Sequence, residues 1–241
     1  MSRFSIDETY PDPQPENAGT GLIASVTINP ERPFIAAASA LAAHMAGSDL
    51  ILARAAARPE SATDMIRDLL ESARVPLAVD LGCSGVLNAI ALKEAGADAV
   101  VISCEAILNP GLVTEITEAI GASSSFFQVD CRALGPEQTD VIDCSGRGIG
   151  IDCTSWLKRL ESLGARNVIL RPRSCTPSEA LLPVFAATGL DVHIERPGWG
   201  LALARALGAK GLVTEGALGC REQLEWLKTG VMEEASIGGS S

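Results

Sequence analysis

Aromatic and basic residues are scarce in this 241-residue chain. Aromatic residues make up 4% of it, and 19 Lys and Arg stand against 30 Asp and Glu, so the formal net charge is −11. A protein that binds nucleic acid or an anionic membrane needs a cluster of basic residues, and the sequence contains none. This composition excludes both partners and favours a small soluble ligand or a protein partner.

Several signals that would change the class of protein are also missing. No apolar run approaches about 18 residues, the length that crosses a bilayer. The first 21 residues are acidic and contain three prolines, unlike a secretory signal, and they predict a cytoplasmic protein. The seven cysteines form no C-x-x-C pair. They therefore predict reduced thiols that fill space near strand ends, with no metal site and no cofactor.

A recurring pattern is present instead, in which a helix-like segment ends at glycine and an apolar run follows at once. Glycine after a helix supplies the left-handed conformation that ends it, and a continuous apolar strand implies burial on both faces, as in a parallel sheet. The five copies read "AHMAGSDLILAR", "LKEAGADAVVIS", "LESLGARNVILR", "FAATGLDVHIE" and "ARALGAKGLVTE".

Extending this reading gives eight strands that alternate with eight helices, the number that closes a parallel barrel. The predicted fold class is therefore α/β, a single (β/α)8 barrel over residues 20–235, with flexible tails at 1–19 and 236–241. An open doubly wound sheet is the alternative, but no strand is followed by the G-x-G-x-x-G of its nucleotide-binding form. The strands are predicted at 22–28, 50–54, 77–81, 99–103, 126–129, 168–171, 192–195 and 212–214. The helices are predicted at 32–46, 61–73, 86–95, 110–120, 154–163, 177–188, 199–207 and 221–229.

The stretch between residues 129 and 156 is longer than an ordinary strand-to-helix loop of about 2 to 6 residues. It is predicted to be a functional loop that contains a small hairpin. His193 alternates with Val192 and Ile194 in a predicted strand, which indicates a packed residue more than a catalytic one.

Four phrases between about residues 75 and 171 carry a family resemblance. They read "VPLAVDLGCSG", "ALKEAGADAVVISCEAILNPGLVTEITEAIG", "FFQVDCRA" and "CSGRGIGIDCTSWLKRLESLGARNVIL". In these phrases the chain resembles the histidine-biosynthesis barrels HisF and HisA, with HisF the closer. The resemblance implies the cyclase subunit of imidazole glycerol phosphate synthase, a lyase that takes ammonia from a glutaminase partner. It also implies acid/base chemistry by two aspartates and two phosphate sites in glycine-rich loops.

Of the two aspartates that the resemblance implies, one is present. Asp130 ends the fifth predicted strand and is predicted to face the barrel mouth as an acid or base. Thr27 stands at the other position, and a threonine hydroxyl cannot act as a general acid or base near neutral pH. Asp80 and Asp152 are the carboxylates that could substitute.

The predicted phosphate sites carry altered residues. Ser103 and Cys104 replace the residues of the resembled family, with Glu105 beside them. At the seventh strand "ERPGWG" places Glu195 and Arg196 in the phosphate loop, and Glu215 follows the eighth. Two carboxylates would repel a phosphate, although Arg196 could offset one of them.

Arginines near the sixth predicted strand supply positive charge at the mouth. Arg171 and Arg173 could bind a carboxylate or phosphate in a bidentate manner, or could balance nearby acids at the rim. The predicted catalytic residues are thus Asp130 and Asp80. The predicted substrate-binding residues are Gly82, Ser103, Cys104, Ser145, Gly146, Arg171, Arg173 and Arg196.

Three functional hypotheses follow from these residues. The first is a divergent HisF-like cyclase with a glutaminase-like partner. The second is a barrel without catalysis that serves as a binding or regulatory partner. The third is an enzyme that acts on a different small anionic metabolite through Asp130, Asp80 and the arginines.

Overall fold

The structure, a computed structural model, describes residues 21–29, 33–55, 62–73, 75–80, 82, 85–135, 138–173, 179–196 and 200–215. Both predicted tails and the predicted helix at 221–229 lie outside these residues. The strands are β1 (Leu22–Ile28), β2 (Leu50–Ala55), β3 (Leu77–Asp80), β4 (Ala99–Ile102), β5 (Ser125–Ala133), β6 (Thr139–Ile142), β7 (Asn167–Pro172), β8 (Asp191–Glu195) and β9 (Gly211–Glu215). The helices are α1 (Pro33–Met45), α2 (Ala62–Ala73), α3 (Val86–Glu94), α4 (Glu105–Leu108), α5 (Gly111–Ile120), α6 (Cys153–Ser162), α7 (Leu182–Ala186) and α8 (Leu201–Ala206), with a 3-10 turn at Glu179–Leu181 before α7.

Eight of these strands form a closed parallel barrel. Each pairs with its neighbour along the chain, and β9 closes the ring by pairing with β1. The remaining strand, β6, is antiparallel and pairs with the end of β5. The predicted (β/α)8 barrel and the hairpin in the long segment are confirmed. No described helix has the length and apolar character of a membrane span.

Glycines end four helices as the recurring pattern predicts, whereas Gly189, the glycine of the remaining copy, does not have a positive φ. Gly47, Gly96, Gly164 and Gly208 all have φ between 95° and 107°, a region that side chains with a Cβ rarely adopt. The carboxylates that follow two of these turns fix the register of the next strand pair. Asp49 accepts the backbone N–H of Leu22, and Asp98 accepts that of Leu77 at 2.8 Å.

The barrel interior is apolar towards the amino ends of the strands and polar at their carboxyl ends. Alternate strand residues pack outward against the helices in a larger cluster. The polar carboxyl end is where (β/α)8 barrels carry their sites. The interior apolar cluster is Ile23, Leu52, Ala78, Ala99, Val101, Phe126, Ile169 and Val213. Two residues further along the strands, the same face carries Ser25, Arg54, Asp80, Ser103, Gln128 and Arg171.

His193 lies on the inward face of β8, where its ring contacts that of Phe126 at a centroid distance of 5.7 Å. Its Nδ1 is buried, and no described residue forms a hydrogen bond with it. Burial lowers the pKa of His193 to about 4, against the opposing effect of Asp191. The prediction that His193 is a packed residue is confirmed.

We expect the neutral state of His193 to make the protein less stable in mild acid. The unfolded chain takes up a proton at this residue below about pH 6.5, whereas the folded protein does not. The free energy of unfolding should therefore fall as pH falls, by about 2 kcal/mol between pH 7 and pH 5. Urea unfolding at both pH values should give a smaller difference for His193→Gln. A His44→Gln control, at the exposed end of α1, should retain the wild-type difference, and equal pH dependence in all three proteins would contradict the account.

Candidate functional site

Arg54, the penultimate residue of β2, extends across the inside of the barrel to β8. Its Nη1 and Nη2 donate to the two carboxylate oxygens of Glu195 at 2.5 and 2.7 Å. Nη2 also donates to Gln128 Oε1 at 3.0 Å, and Nε donates to Asp80 Oδ2 at 3.3 Å. A longer contact of 3.4 Å joins Nη1 to Ser25 Oγ. One guanidinium thus links five strands of the barrel.

Arg54 and Glu195 form an ion pair inside the barrel. Glu195 is 3% exposed. Burial lowers the pKa of Arg54, but the hydrogen bond and charge of Glu195, together with Asp80, outweigh burial and raise it above its ordinary value. A bidentate pair of this kind is strong and directional, and removal of either partner leaves the other as a buried, uncompensated charge.

Two arginines hold Asp130: Arg171 in β7 and Arg173 directly after β7. Arg171 Nε donates to Oδ1 at 2.7 Å, and its Nη2 donates to Oδ2 at 3.0 Å. Arg173 Nη2 also donates to Oδ2. The inward position predicted for Asp130 at the end of a barrel strand is therefore accompanied by a pairing that occupies both carboxylate oxygens.

The two clusters lie side by side. Burial lowers the pKa of Arg171, the hydrogen bond and charge of Asp130 raise it, and the charge of Glu195 adds to the net rise. The described mouth therefore places three arginines (54, 171 and 173) beside three carboxylates (80, 130 and 195). The Arg173 side chain is 48% exposed and that of Asp130 is 11% exposed, so Arg173 presents positive charge to solvent.

The remaining predicted residues lie around this mouth. Thr27 is exposed near the end of β1, beside Arg54 on β2. Ser103 follows β4 and makes a long contact of 3.4 Å from its Oγ to Asp80 Oδ1. Gly82 follows β3 and is exposed, and Arg196 follows β8 and is half-buried.

The prediction that Glu195 lies in a phosphate loop is wrong, whereas the role of Arg196 as a substrate-binding residue stays a prediction. Glu195 is the last residue of β8, and its side chain turns into the barrel, where Arg54 neutralises it. It therefore does not oppose an anion from the loop that follows β8. Glu215 ends β9, and its Cα lies opposite that of Ser25 on β1.

The hairpin of β5 and β6 leads into a turn held by Asp143. Its Oδ1 accepts the Ser145 hydroxyl at 2.6 Å and the backbone N–H groups of Ser145 and Arg147 at 2.9 Å each. The Ser145 hydroxyl and the Arg147 N–H lower the pKa of Asp143. Gly146, with φ of 81°, completes the turn. Ser145 and Gly146 thus lie in an exposed, internally hydrogen-bonded loop.

Asp152 does not provide a substitute acid at the mouth. It is the N-cap of α6, where its carboxylate accepts the Ser155 N–H at 3.1 Å and the Thr139 hydroxyl at 3.0 Å. A carboxylate at this place satisfies a free backbone donor and interacts favourably with the helix dipole.

We expect Asp152→Ala to lower the free energy of unfolding by about 1 to 2 kcal/mol, because it removes the cap of α6. Asp152→Asn keeps an oxygen that can cap the helix and should cost much less. Chemical denaturation of the two variants measures the difference. A loss of the same size in both would show that the charge, and not the cap, is what matters.

Four cysteines are described. Burial, followed by the neighbouring Cys144 and the charge of Glu105, raises the pKa of Cys104 to about 12. The neighbouring Cys131, followed by burial, raises the pKa of Cys153, the first residue of α6. Cys131 and Cys153 are buried, whereas Cys144 is exposed. Among the described residues, no three His, Cys, Asp or Glu side chains are grouped to hold a metal ion.

Two residues of the site escaped the sequence prediction, namely Arg54 and Gln128. Both carry a usable signal, since each stands two positions after a residue of the interior apolar cluster on its own strand. The alternation of a strand places such residues on the inward face.

The comparisons with known proteins agree with this architecture. A family model described as "Histidine biosynthesis protein" matches residues 46–172, just over half of the chain. This chain belongs to the histidine biosynthesis protein family. The match covers β2 to β7, and so includes Arg54, Asp80, Asp130 and Arg171.

Curated relatives carry the name imidazole glycerol phosphate synthase subunit HisF. The protein of Synechococcus sp. (strain CC9311) is 29% identical over 165 residues, which are 67% of this chain and 56% of the relative. That of Salinispora arenicola (strain CNS-205) is 32% identical over 138 residues, 55% of this chain and 51% of the relative. That of Synechococcus sp. (strain CC9605) is 29% identical over 165 residues, which are 67% of this chain and 58% of the relative. The chain therefore spans about half the length of the curated relatives it matches.

Proposed function

We propose that this barrel binds a small anionic metabolite at its mouth through Arg171 and Arg173, and that it has lost the two-acid reaction of the resembled cyclase. The observation that carries the proposal is the pairing of Asp130. Its two oxygens accept hydrogen bonds from both arginines. A carboxylate in such a pairing gives up strong, charge-assisted bonds when it takes up a proton.

The second position supports the same conclusion. Thr27 stands where the resemblance implies an acid, and its hydroxyl can form hydrogen bonds but cannot act as a general acid or base near neutral pH. Asp80 lies on the same rim but contacts Arg54. The nearby carboxylates are therefore engaged in pairing arginines.

The arginines are suited to an anion. A guanidinium binds a carboxylate or phosphate through two parallel N–H donors. Arg173 keeps almost half of its side-chain surface exposed while it contacts Asp130. An incoming anion can reach Arg173 from the solvent and share it with Asp130, because a guanidinium carries five N–H donors. The ion pair with Arg54 offsets the charge of Glu195, and so reduces the repulsion between this carboxylate and such a ligand.

The second candidate is the cyclase subunit itself, with Asp130 as acid or base and a glutaminase-like protein as ammonia donor. The names of the relatives favour it. In that case the arginines would release Asp130 when the substrate binds. The cytoplasmic location remains a prediction from the N-terminal sequence.

Calorimetric titration with matched ligand pairs tests anion binding. We expect glycerol phosphate or succinate to bind saturably, while glycerol and succinamide do not bind. At ten times the dissociation constant, a ligand that binds the folded state adds about 1.4 kcal/mol of stability. Such a gain should raise the melting temperature by about 3 to 5 °C. Binding of glycerol or succinamide as tightly as the anions would overturn the proposal. No binding by either anion would also overturn it, and would favour a barrel that serves as a protein-binding partner.

A further inference from the structure

Helix α1 presents large apolar side chains to solvent. Phe34 is 83% exposed and Met45 is 79% exposed, while Ile35 and Leu41 are 57% and 41% exposed. The whole helix contains no Asp, Glu, Lys or Arg. A helix on the surface of a globular protein normally packs its large apolar residues inward and presents charged residues to water. The neighbouring α2 follows that rule and carries an exposed ion pair, so the surface of α1 is unusual within its own barrel.

The exposed residues lie on the outer side of α1. At roughly 100° per residue, the mean direction of Phe34, Leu41 and Met45 lies about 150° from that of the residues that face the barrel. The helices of a (β/α)8 barrel lie side by side around the strands. A neighbouring helix therefore contacts the flanks of α1, and the outer side is left to another molecule. The residues of α1 that face the barrel are Ala36, Ala40 and Ala43.

We propose that the outer side of α1 is an interaction surface for a second copy of this chain, and that two barrels associate there as a symmetric dimer. Charge favours this occupant. Each chain carries a net charge of −11, so two copies repel one another over most of their surface. The uncharged outer side of α1 lets them approach without bringing carboxylates together. A basic partner protein would instead be drawn to the acidic parts of the surface.

The outer side of α1 is also self-complementary about a two-fold axis. If two α1 helices pack antiparallel about the middle of the helix, Phe34 of each copy lies opposite Met45 of the other. The same axis places Ala38, which is exposed, opposite Leu41. Each contact then occurs twice, as a two-fold interface requires. A thioether beside an aromatic ring and a large side chain opposite a small one are both favourable packing arrangements.

The area of this surface suits a reversible dimer. At about 200 Å² for a fully exposed residue of this size, the four large side chains expose on the order of 500 Å² in each copy. Two copies would bury about 1,000 Å² in total, which is where the size range of specific interfaces begins. An apolar patch of this size on a soluble protein marks an interaction site more often than a bare surface.

Sedimentation equilibrium of the full chain between about 1 and 100 µM tests the proposal, since the affinities of small interfaces fall in this range. We expect the mass to rise from 25.0 kDa toward twice that value. Added salt should strengthen association, because it screens the repulsion between two acidic copies. An interface held by ion pairs would respond to salt in the opposite direction.

The variant Phe34→Glu with Met45→Glu places carboxylates opposite each other and should weaken association at least about 100-fold. Leu87→Glu is the matched control, because Leu87 is 81% exposed on α3, and it should leave association unchanged. Circular dichroism checks that each variant is folded. If the doubly charged variant does not fold, Phe34→Ala replaces it and should weaken association about 10-fold through lost apolar burial.

Oxidation of Met45 by peroxide, followed by peptide mapping, distinguishes the other occupants of this surface. In a dimer Met45 should react slowly at about 100 µM protein and rapidly at about 1 µM, because oxidation depends on exposure. A protein that stays monomeric would overturn the proposal. Rapid oxidation would then mean a bare surface, and slow oxidation at every concentration would mean that another segment of the same chain covers it. A dimer that the charged variant does not weaken, or assembly beyond two copies, would also overturn the proposal.

Discussion

Replacement of Arg54 by methionine is expected to lower the free energy of unfolding by about 3 to 5 kcal/mol, the usual cost of breaking a buried ion pair from one side. The variant leaves the Glu195 carboxylate, which is 3% exposed, without its arginine partner. It also removes the hydrogen bond that Arg54 donates to Gln128 Oε1. The stem of methionine fills much of the space of the arginine stem, so that loss of packing contributes less than loss of charge.

Urea denaturation measures this cost, and thermal unfolding should show a melting temperature lower by about 6 to 20 °C. Arg67→Met is a matched control, because Arg67 pairs with Asp64 on the exposed face of α2, where an ion pair contributes at most about 1 kcal/mol.

A double variant separates charge from packing. Arg54→Met combined with Glu195→Met removes both charges, and should be more stable than Arg54→Met alone, since no buried carboxylate is left without a partner. An Arg54→Met protein as stable as the Arg67→Met control would contradict the description of the mouth as a buried charge network.

The second large effect concerns Arg173. Arg173→Met is expected to weaken the binding of phosphate or dicarboxylate ligands by about 10- to 100-fold, because hydrogen bonds to charged groups contribute about 1.5 to 3 kcal/mol. The same variant should change stability little, since the Arg173 side chain is 48% exposed and exposed ion pairs contribute little to folding.

Isothermal titration of wild type and variants with the same anion measures this loss. Arg166→Met is the matched control, because Arg166 is exposed, carries the same charge and pairs with Asp191 at the start of β8. Equal weakening in both variants would mean that the ligand responds to net charge alone. Unchanged affinity in Arg173→Met would place the anion elsewhere.

Much of the fold could be predicted because the signals that define it are local. A glycine that ends a helix and an apolar run that follows it are neighbours in the chain, and the four left-handed glycines and the strands after them lie where the pattern indicates. Closure of eight strands then follows from their number. The short helix α4 was missed because its four residues, Glu105–Leu108, are too few for periodicity to be visible.

The site was harder to predict because its contacts are distant in sequence. Arg54 and Glu195 are separated by 141 residues, so their pairing appears only when β2 and β8 face the same interior. The position of Asp130 could be predicted, but the sequence did not show that Arg171 and Arg173 would both donate hydrogen bonds to its carboxylate. Asp152 was predicted as a substitute acid for a different reason. A carboxylate that caps a helix and a carboxylate that faces the barrel mouth look alike in sequence, because the sequence does not show their hydrogen-bond partners.

The most direct test of the central claim is turnover of the cyclase substrate with ammonia as the nitrogen donor, with the protein of Synechococcus sp. (strain CC9311) as the positive control. The pairing of Asp130 and the presence of Thr27 predict a rate at least about 100-fold below the control, the typical contribution of one acid or base. A rate that equals the control and disappears in Asp130→Asn would contradict the claim that this barrel has exchanged two-acid chemistry for arginine-held anion binding.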